Sequence, residues 1–93
     1  MANMSVEEII KQVTAICKEC GVEHLSLFGS YARGTATRYS DLDFVVSGVP
    51  DMEELQERVD GIPTLMKIDL FEYDICENPF LKEDMDNDAE KIY

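Results

Sequence analysis

The sequence predicts an α/β fold, and three observations lead there. Patterns of helical and strand-like hydrophobicity alternate along the chain. Two of the helical stretches open on a capping residue followed three positions later by an acid, Ser5 to Glu8 and Asp51 to Glu54. The apolar runs between them are short and are bounded by glycine, proline and polar residues. At 93 residues this is one domain, residues 1–93, burying roughly 60–65% of its unfolded surface in one modest core.

Val6, Ile9, Ile10, Val13, Ile16, Cys17 and Cys20 recur at three- and four-residue steps, which makes an amphipathic helix ended by Gly21. Cys17 and Cys20 have a Cys-x-x-Cys spacing, but they fall on the buried stripe of that helix. A zinc site would have only Cys76 and the lone His24 to draw on. A first strand is expected over Leu25–Phe28, polar loop over Thr35–Tyr39 and a second strand over Leu42–Val46. A helix follows Asp51, with Met52, Leu55 and Val59 on its apolar side, and Gly61 and Pro63 stop it. A third strand is expected over Leu65–Tyr73. After a turn at Asn78-Pro79 comes an acidic helical segment whose Phe80, Leu81, Met85, Ala89 and Ile92 are expected to pack on the sheet, with Tyr93 closing the domain. Asp84, Asp86 and Asp88 have the spacing of a calcium loop, but Ala89 stands at the position that loop reserves for glycine, so they read as a solvated face.

The stretch Leu25–Gly48 carries the chemistry. Gly29-Ser30 makes a tight turn into a short helix, and glycine there lets the backbone approach a ligand while the helix start offers free N–H groups to phosphate. The second strand opens on Asp41 and Asp43. Residues two apart share a strand face, roughly 6–7 Å apart, so both acids point one way while Leu42, Phe44 and Val46 point into the core. Two such acids repel by a few kcal/mol at close approach, at an effective dielectric of ~20. A wet site tolerates that, and a divalent cation between them makes use of it.

Gly29-Ser30, ten intervening residues, then Asp41-Leu42-Asp43 resembles the signature of the DNA polymerase beta-type nucleotidyltransferase superfamily. More narrowly, Gly29-Ser30-Tyr31-Ala32-Arg33-Gly34 with Ser40-Asp41-Leu42-Asp43-Phe44 resembles the minimal nucleotidyltransferases, many of which are antitoxins paired with a HEPN-domain partner. The resemblance covers nearly the whole chain. It implies a small mixed sheet with helices packed mainly on one face, whereas alternation alone equally allows a parallel sheet. It also implies a third carboxylate on a neighbouring strand. Asp69 is the best match, with Glu72 and Asp74 as alternatives.

On that resemblance, Asp41, Asp43 and Asp69 are the catalytic residues and the ligands of a two-metal Mg²⁺ site, with ATP as substrate. Gly29, Ser30 and Arg33 hold the nucleotide's phosphates. Arg38 and Lys67 are weaker candidates for phosphate contact, and Tyr31 and Tyr39 read as packing or rim residues. The implied reaction moves AMP onto a hydroxyl, a tyrosine of a HEPN toxin. The competing readings are a non-catalytic antitoxin acting by contact and a small-molecule nucleotidyltransferase.

Charge narrows the acceptor. Twenty acids against eight bases give a net charge of -12, and the bases form no run or stripe. Nucleic-acid binding draws its affinity from clustered Lys and Arg, so DNA or RNA is disfavoured and a basic protein partner is favoured. An oligomer is compatible with the sequence. Met1–Glu8 lacks the basic and apolar regions of a signal peptide, and no apolar run reaches membrane-spanning length. With free thiols as the simple reading of three cysteines, a cytoplasmic location is expected.

Overall fold

The computed structural model describes residues 5–37 and 40–93. Readings that fall on Met1–Met4, Arg38 and Tyr39 lie outside the described residues. The elements are α1 (Val6–Glu19), β1 (His24–Phe28), α2 (Ser30–Arg33), β2 (Leu42–Ser47), α3 (Met52–Asp60), β3 (Ile68–Glu72), α4 (Pro79–Asp88) and β4 (Glu90–Lys91). Both predicted caps form. The Glu8 N–H donates to Ser5 Oγ at 3.2 Å, and the Glu54 N–H donates to Asp51 Oδ1 at 3.1 Å. Each bond satisfies one of the amides that a helix start leaves without a partner.

The strands form one mixed sheet in the order β3-β2-β1-β4. β1 runs antiparallel to β2 and to β4, while β2 and β3 are parallel. The parallel pair requires a crossover, and α3 supplies it. Alternation then sorts the side chains. Leu25, Leu27, Leu42, Phe44 and Val46 belong to the main core with Ile9, Val13 and Cys17 of α1 and Leu55 and Val59 of α3. Phe28 and Val45 face the other way, against Met85 of α4, and the rings of Phe28 and Phe71 meet edge-on at 5.9 Å. Helices α1 and α3 thus cover one face, and α4 covers part of the other.

Two expectations need correction. The third strand begins at Ile68, not Leu65, because Pro63 and a local turn hold the chain off the sheet. The Thr64 N–H donates to Ile62 O, the Met66 N–H to Thr64 Oγ1, and Leu65 is left 91% exposed. Phe80 is 78% exposed rather than packed, because it falls on the outer side of α4 while its neighbour Leu81 packs toward Met85. The short strand β4 was not anticipated. Two residues carry no strand pattern, and it forms because β1 has a free edge. Its continuation places Ile92 and Tyr93 against Leu25, and the Tyr93 hydroxyl donates to Val22 O at 3.0 Å, closing the domain as expected. Among the described residues no helix is long and apolar enough to cross a membrane.

The contrast within α4 is measurable. Met85→Ala should cost about 2–3 kcal/mol, since Met85 is buried in the small second core, whereas Phe80→Ala should stay within about 0.5 kcal/mol. Urea denaturation of the two variants checks this. Equal losses would mean that α4 is not seated through Met85.

Candidate active site

The site lies where β1 ends and β2 and β3 begin. Gly29 follows β1 in a left-handed conformation, φ 75° and ψ -149°, and is itself buried. A Cβ at this position would lie 2.6 Å from Asp43 Oδ2. Gly29 is therefore required twice, by its backbone angles and by the carboxylate pressed against it. From there the chain enters α2, with the Arg33 N–H donating to Gly29 O at 3.1 Å. The Ser30 and Tyr31 amides at the start of this turn have no intrahelical acceptor. Gly34 ends the helix in the left-handed conformation.

Asp43 stands opposite Phe28 on one side and Asp69 on the other. The neighbouring strands run about 4.8 Å apart. The Asp43 and Asp69 carboxyls, on directly paired residues of parallel strands, are close enough to act on one another. Partial burial, then the negative charge of Asp69 and of Asp41, push the Asp43 carboxyl up to about 6. Asp41 sits exposed just ahead of β2, near enough to contribute to that shift. Lys67 opposes it weakly. Its ammonium is 4.0 Å from Asp69 Oδ1 and largely exposed, and its carbonyl accepts from the Leu42 N–H, which fixes the start of β3 against β2.

Of the three candidates for a third carboxylate, only Asp69 stands beside Asp43. By strand alternation Glu72, opposite Val46, points to the helix-covered face, and Asp74 accepts from the Gly48 N–H at 2.8 Å at the other end of the sheet. Arg33 is on α2 as expected, but it is drawn toward α4 by an exposed ion pair with Asp88 at 3.8 Å. Sequence spacing carries no sign of that contact. Tyr31 packs against the main core, and Cys17 is buried there, its thiol pushed up to about 11 by burial and then by Cys20. Arg38 and Tyr39 lie outside the described residues.

The donor chemistry suits a hard divalent cation. The candidate ligands are all carboxylate oxygens, and Asp43, its proton affinity raised first by burial and then by the charge of Asp69 and Asp41, has neighbouring negative charge that a cation would offset. Among the described residues no three acidic, histidine or cysteine side chains converge as a finished cage. Mg²⁺ does not require one, since it is ordinarily held by one or two carboxylates together with substrate phosphates and water.

The family model for the nucleotidyltransferase domain matches residues 8–93. The chain belongs to this family. Two relatives bring the family closer to this chain. A Methanocaldococcus jannaschii protein, provisionally named a protein adenylyltransferase, is 31% identical over 90 residues, covering 89% of this chain and 90% of its own. The protein adenylyltransferase MntA of Thermococcus cleftensis is 42% identical over 78 residues, covering 78% and 68%. The fold is also that of a toxin-antitoxin crystal structure with AMP-PNP, at a TM-score of 0.69 and 20% identity over 89% of this chain and 71% of that one. This nucleotidyltransferase domain is of the minimal, MntA-like kind, with the mixed sheet that the resemblance implied.

The strain at this nucleotidyltransferase site makes two predictions. The Asp43 carboxyl binds its proton more tightly in the folded chain, at about 6, than at the ordinary value of 3.8. Its contribution therefore favours folding at low pH and is lost as pH rises from about 4 to about 6. Discounted for its partial exposure, the penalty at neutral pH is about 1–2 kcal/mol. Asp43→Asn should raise stability by that amount at pH 7.5 in metal-free buffer and leave it unchanged at pH 3.5, read by denaturant unfolding at both values. A gain of equal size at the two pH values would refute the electrostatic cause. Gly29→Ala should cost more than about 1 kcal/mol and shift the Asp43 carboxyl resonance by NMR. An unmoved carboxyl would show that the two do not press on one another.

Proposed function

We propose that this domain transfers AMP from ATP to a tyrosine hydroxyl of a HEPN-domain toxin, and so acts as its antitoxin. The observation that carries the reading is the Asp43–Asp69 pair, side by side on parallel strands with Asp41 at its margin and the Gly29-Ser30 turn against Asp43. A carboxylate held partly buried beside other acids destabilises a fold, and a module that binds by contact alone has no use for it. AMP as the transferred group is supported by the adenylyltransferase names of the relatives. A toxin as acceptor is supported by the toxin-antitoxin neighbour and by the net charge of -12, which suits a basic partner.

In this reading the amides after Gly29, with Ser30 and Arg33, bind the β- and γ-phosphates at the start of α2. Asp41, Asp43 and Asp69 would hold Mg²⁺, which when bound offsets charge on the attacking and leaving oxygens. The acceptor oxygen forms a bond to the α-phosphorus as the bond to the bridging oxygen of pyrophosphate breaks. Asp69 takes the hydroxyl proton, directly or through water. Its place on the outer strand, with 35% of the side chain exposed, leaves it reachable by an acceptor.

Calorimetric titration of ATP with Mg²⁺, followed by transfer of labelled AMP onto the co-expressed toxin, tests the reading. The wild type should bind ATP and label the toxin. Asp41→Asn/Asp43→Asn should lower labelling at least a hundredfold and release the toxin's activity. Toxin neutralisation that survives in this variant would identify a contact antitoxin instead.

A further inference from the structure

Across the site end of the sheet four features stand in a row. The Gly29-Ser30 turn closes β1, Asp43 lies on β2, Asp69 lies on β3, and a groove opens beyond the outer edge of β3. The groove has a volume of about 450 Å³. Its walls are Gln56 and Val59 of α3, Ile62, Thr64 and Met66 of the connecting loop, and Asp69 itself. Two bonds brace it. Gln56 Nε2 donates to Asp60 Oδ1 at 2.9 Å, and Thr64 Oγ1 accepts from the Met66 N–H at 3.1 Å.

In-line displacement puts the attacking and leaving oxygens on opposite sides of the phosphorus. With pyrophosphate on the Gly29-Ser30 side, the acceptor hydroxyl must arrive from the Asp69 side, where this groove lies. Met66 and Ile68 give it apolar surface, with Val59 and Ile62 buried behind them, while Gln56 and Thr64 offer polar groups. Leu65, between two lining residues, is 91% exposed. Lys67 is the one cation among the lining residues, against Asp60 and Asp69, on a chain of net charge -12.

We infer that the groove at the outer edge of β3 is the acceptor subsite, and that it seats a tyrosine carried on a cationic protein segment, with Leu65 gripping the segment outside the groove. This rests on the proposed transfer reaction and adds the place and chemistry of recognition. Apolar walls leading to a carboxylate suit a phenol ring with its hydroxyl at Asp69. The surplus of acid around the groove selects lysine or arginine on either side of that tyrosine.

The test uses the full chain, saturated with AMP-PNP and Mg²⁺, and amide NMR. The probe is a synthetic peptide with one tyrosine flanked by two lysines on each side. Its addition should shift the amides of Gln56 and Thr64–Lys67. Gln56→Trp, which fills the groove, and Leu65→Ser, which removes the exposed apolar side chain without changing charge, should each weaken peptide binding at least tenfold and leave AMP-PNP affinity within twofold. Shifts located elsewhere, or none, would overturn the subsite. So would loss of AMP-PNP affinity in Gln56→Trp, which would assign the groove to the nucleotide. N-acetyltyrosinamide binding as tightly as the peptide would overturn the protein segment and favour a small acceptor. Failure of the wild type to bind AMP-PNP would sink the transfer reaction and this inference together. Intact AMP-PNP binding with any of the other adverse results would sink the inference alone.

Discussion

Two carboxylates held opposite one another on parallel strands are the constraint on which this site depends. Asp43 and Asp69 meet because β2 and β3 are in register residue for residue, Leu42 with Ile68 through Val46 with Glu72. A slip of one residue would send one acid to the opposite face, into the core. The register is held from the other face, where Leu42, Phe44 and Val46 are fully buried with Ile68 and Leu70 packed against their cluster. Strand alternation thus gives one six-residue strand two functions. The burial that fixes the fold also imposes the closeness of two acids that would otherwise separate.

The price of that closeness is moderated locally. Lys67 lies at the far limit of an ion pair with Asp69, and Asp41 is exposed to solvent. Neither cancels the charge, and the Asp43 carboxyl stays well above its ordinary value. Gly29 adds confinement from the β1 side. With no side chain there, the turn backbone approaches the Asp43 carboxylate more closely than any other residue would permit. The consequence is a short row of features across the sheet edge: the start of α2, then the acids, then an open groove.

Much of this was legible in the sequence, because the signals were local. The turn glycine, the acid pair at a spacing of two and the apolar residues between them each follow from backbone geometry at one place. Helix α1 and the cap of α3 were legible for the same reason. What was not legible depends on contacts distant in the chain. Nothing in the stretch Leu65–Tyr73 shows that Thr64 would fold back to accept the Met66 amide and delay the strand to Ile68. The choice of Asp69 over Glu72 and Asp74 needed the resemblance first and the register afterwards. The strand order and β4 came only from the structure, since pairing along an edge leaves no periodic trace in two residues.

Helix α4 shows where a local reading of charge falls short. Its acids read as a solvated face, yet Asp86 accepts from the Tyr73 hydroxyl at 2.9 Å and Asp88 reaches Arg33 at 3.8 Å. The first bond, with Lys82 over the Tyr73 ring at 4.6 Å, helps seat the helix on the open face beside Met85. The second is of another kind. Both of its partners are exposed, and such a pair is worth about 0.2–1 kcal/mol, less in salt. Charge-assisted hydrogen bonds to phosphate are stronger, about 1.5–3 kcal/mol, and the start of α2 already favours an anion there. The ion pair with Asp88 therefore does not remove Arg33 from the set of phosphate ligands proposed for this site. It holds the guanidinium at the margin of the site by a bond weak enough to exchange.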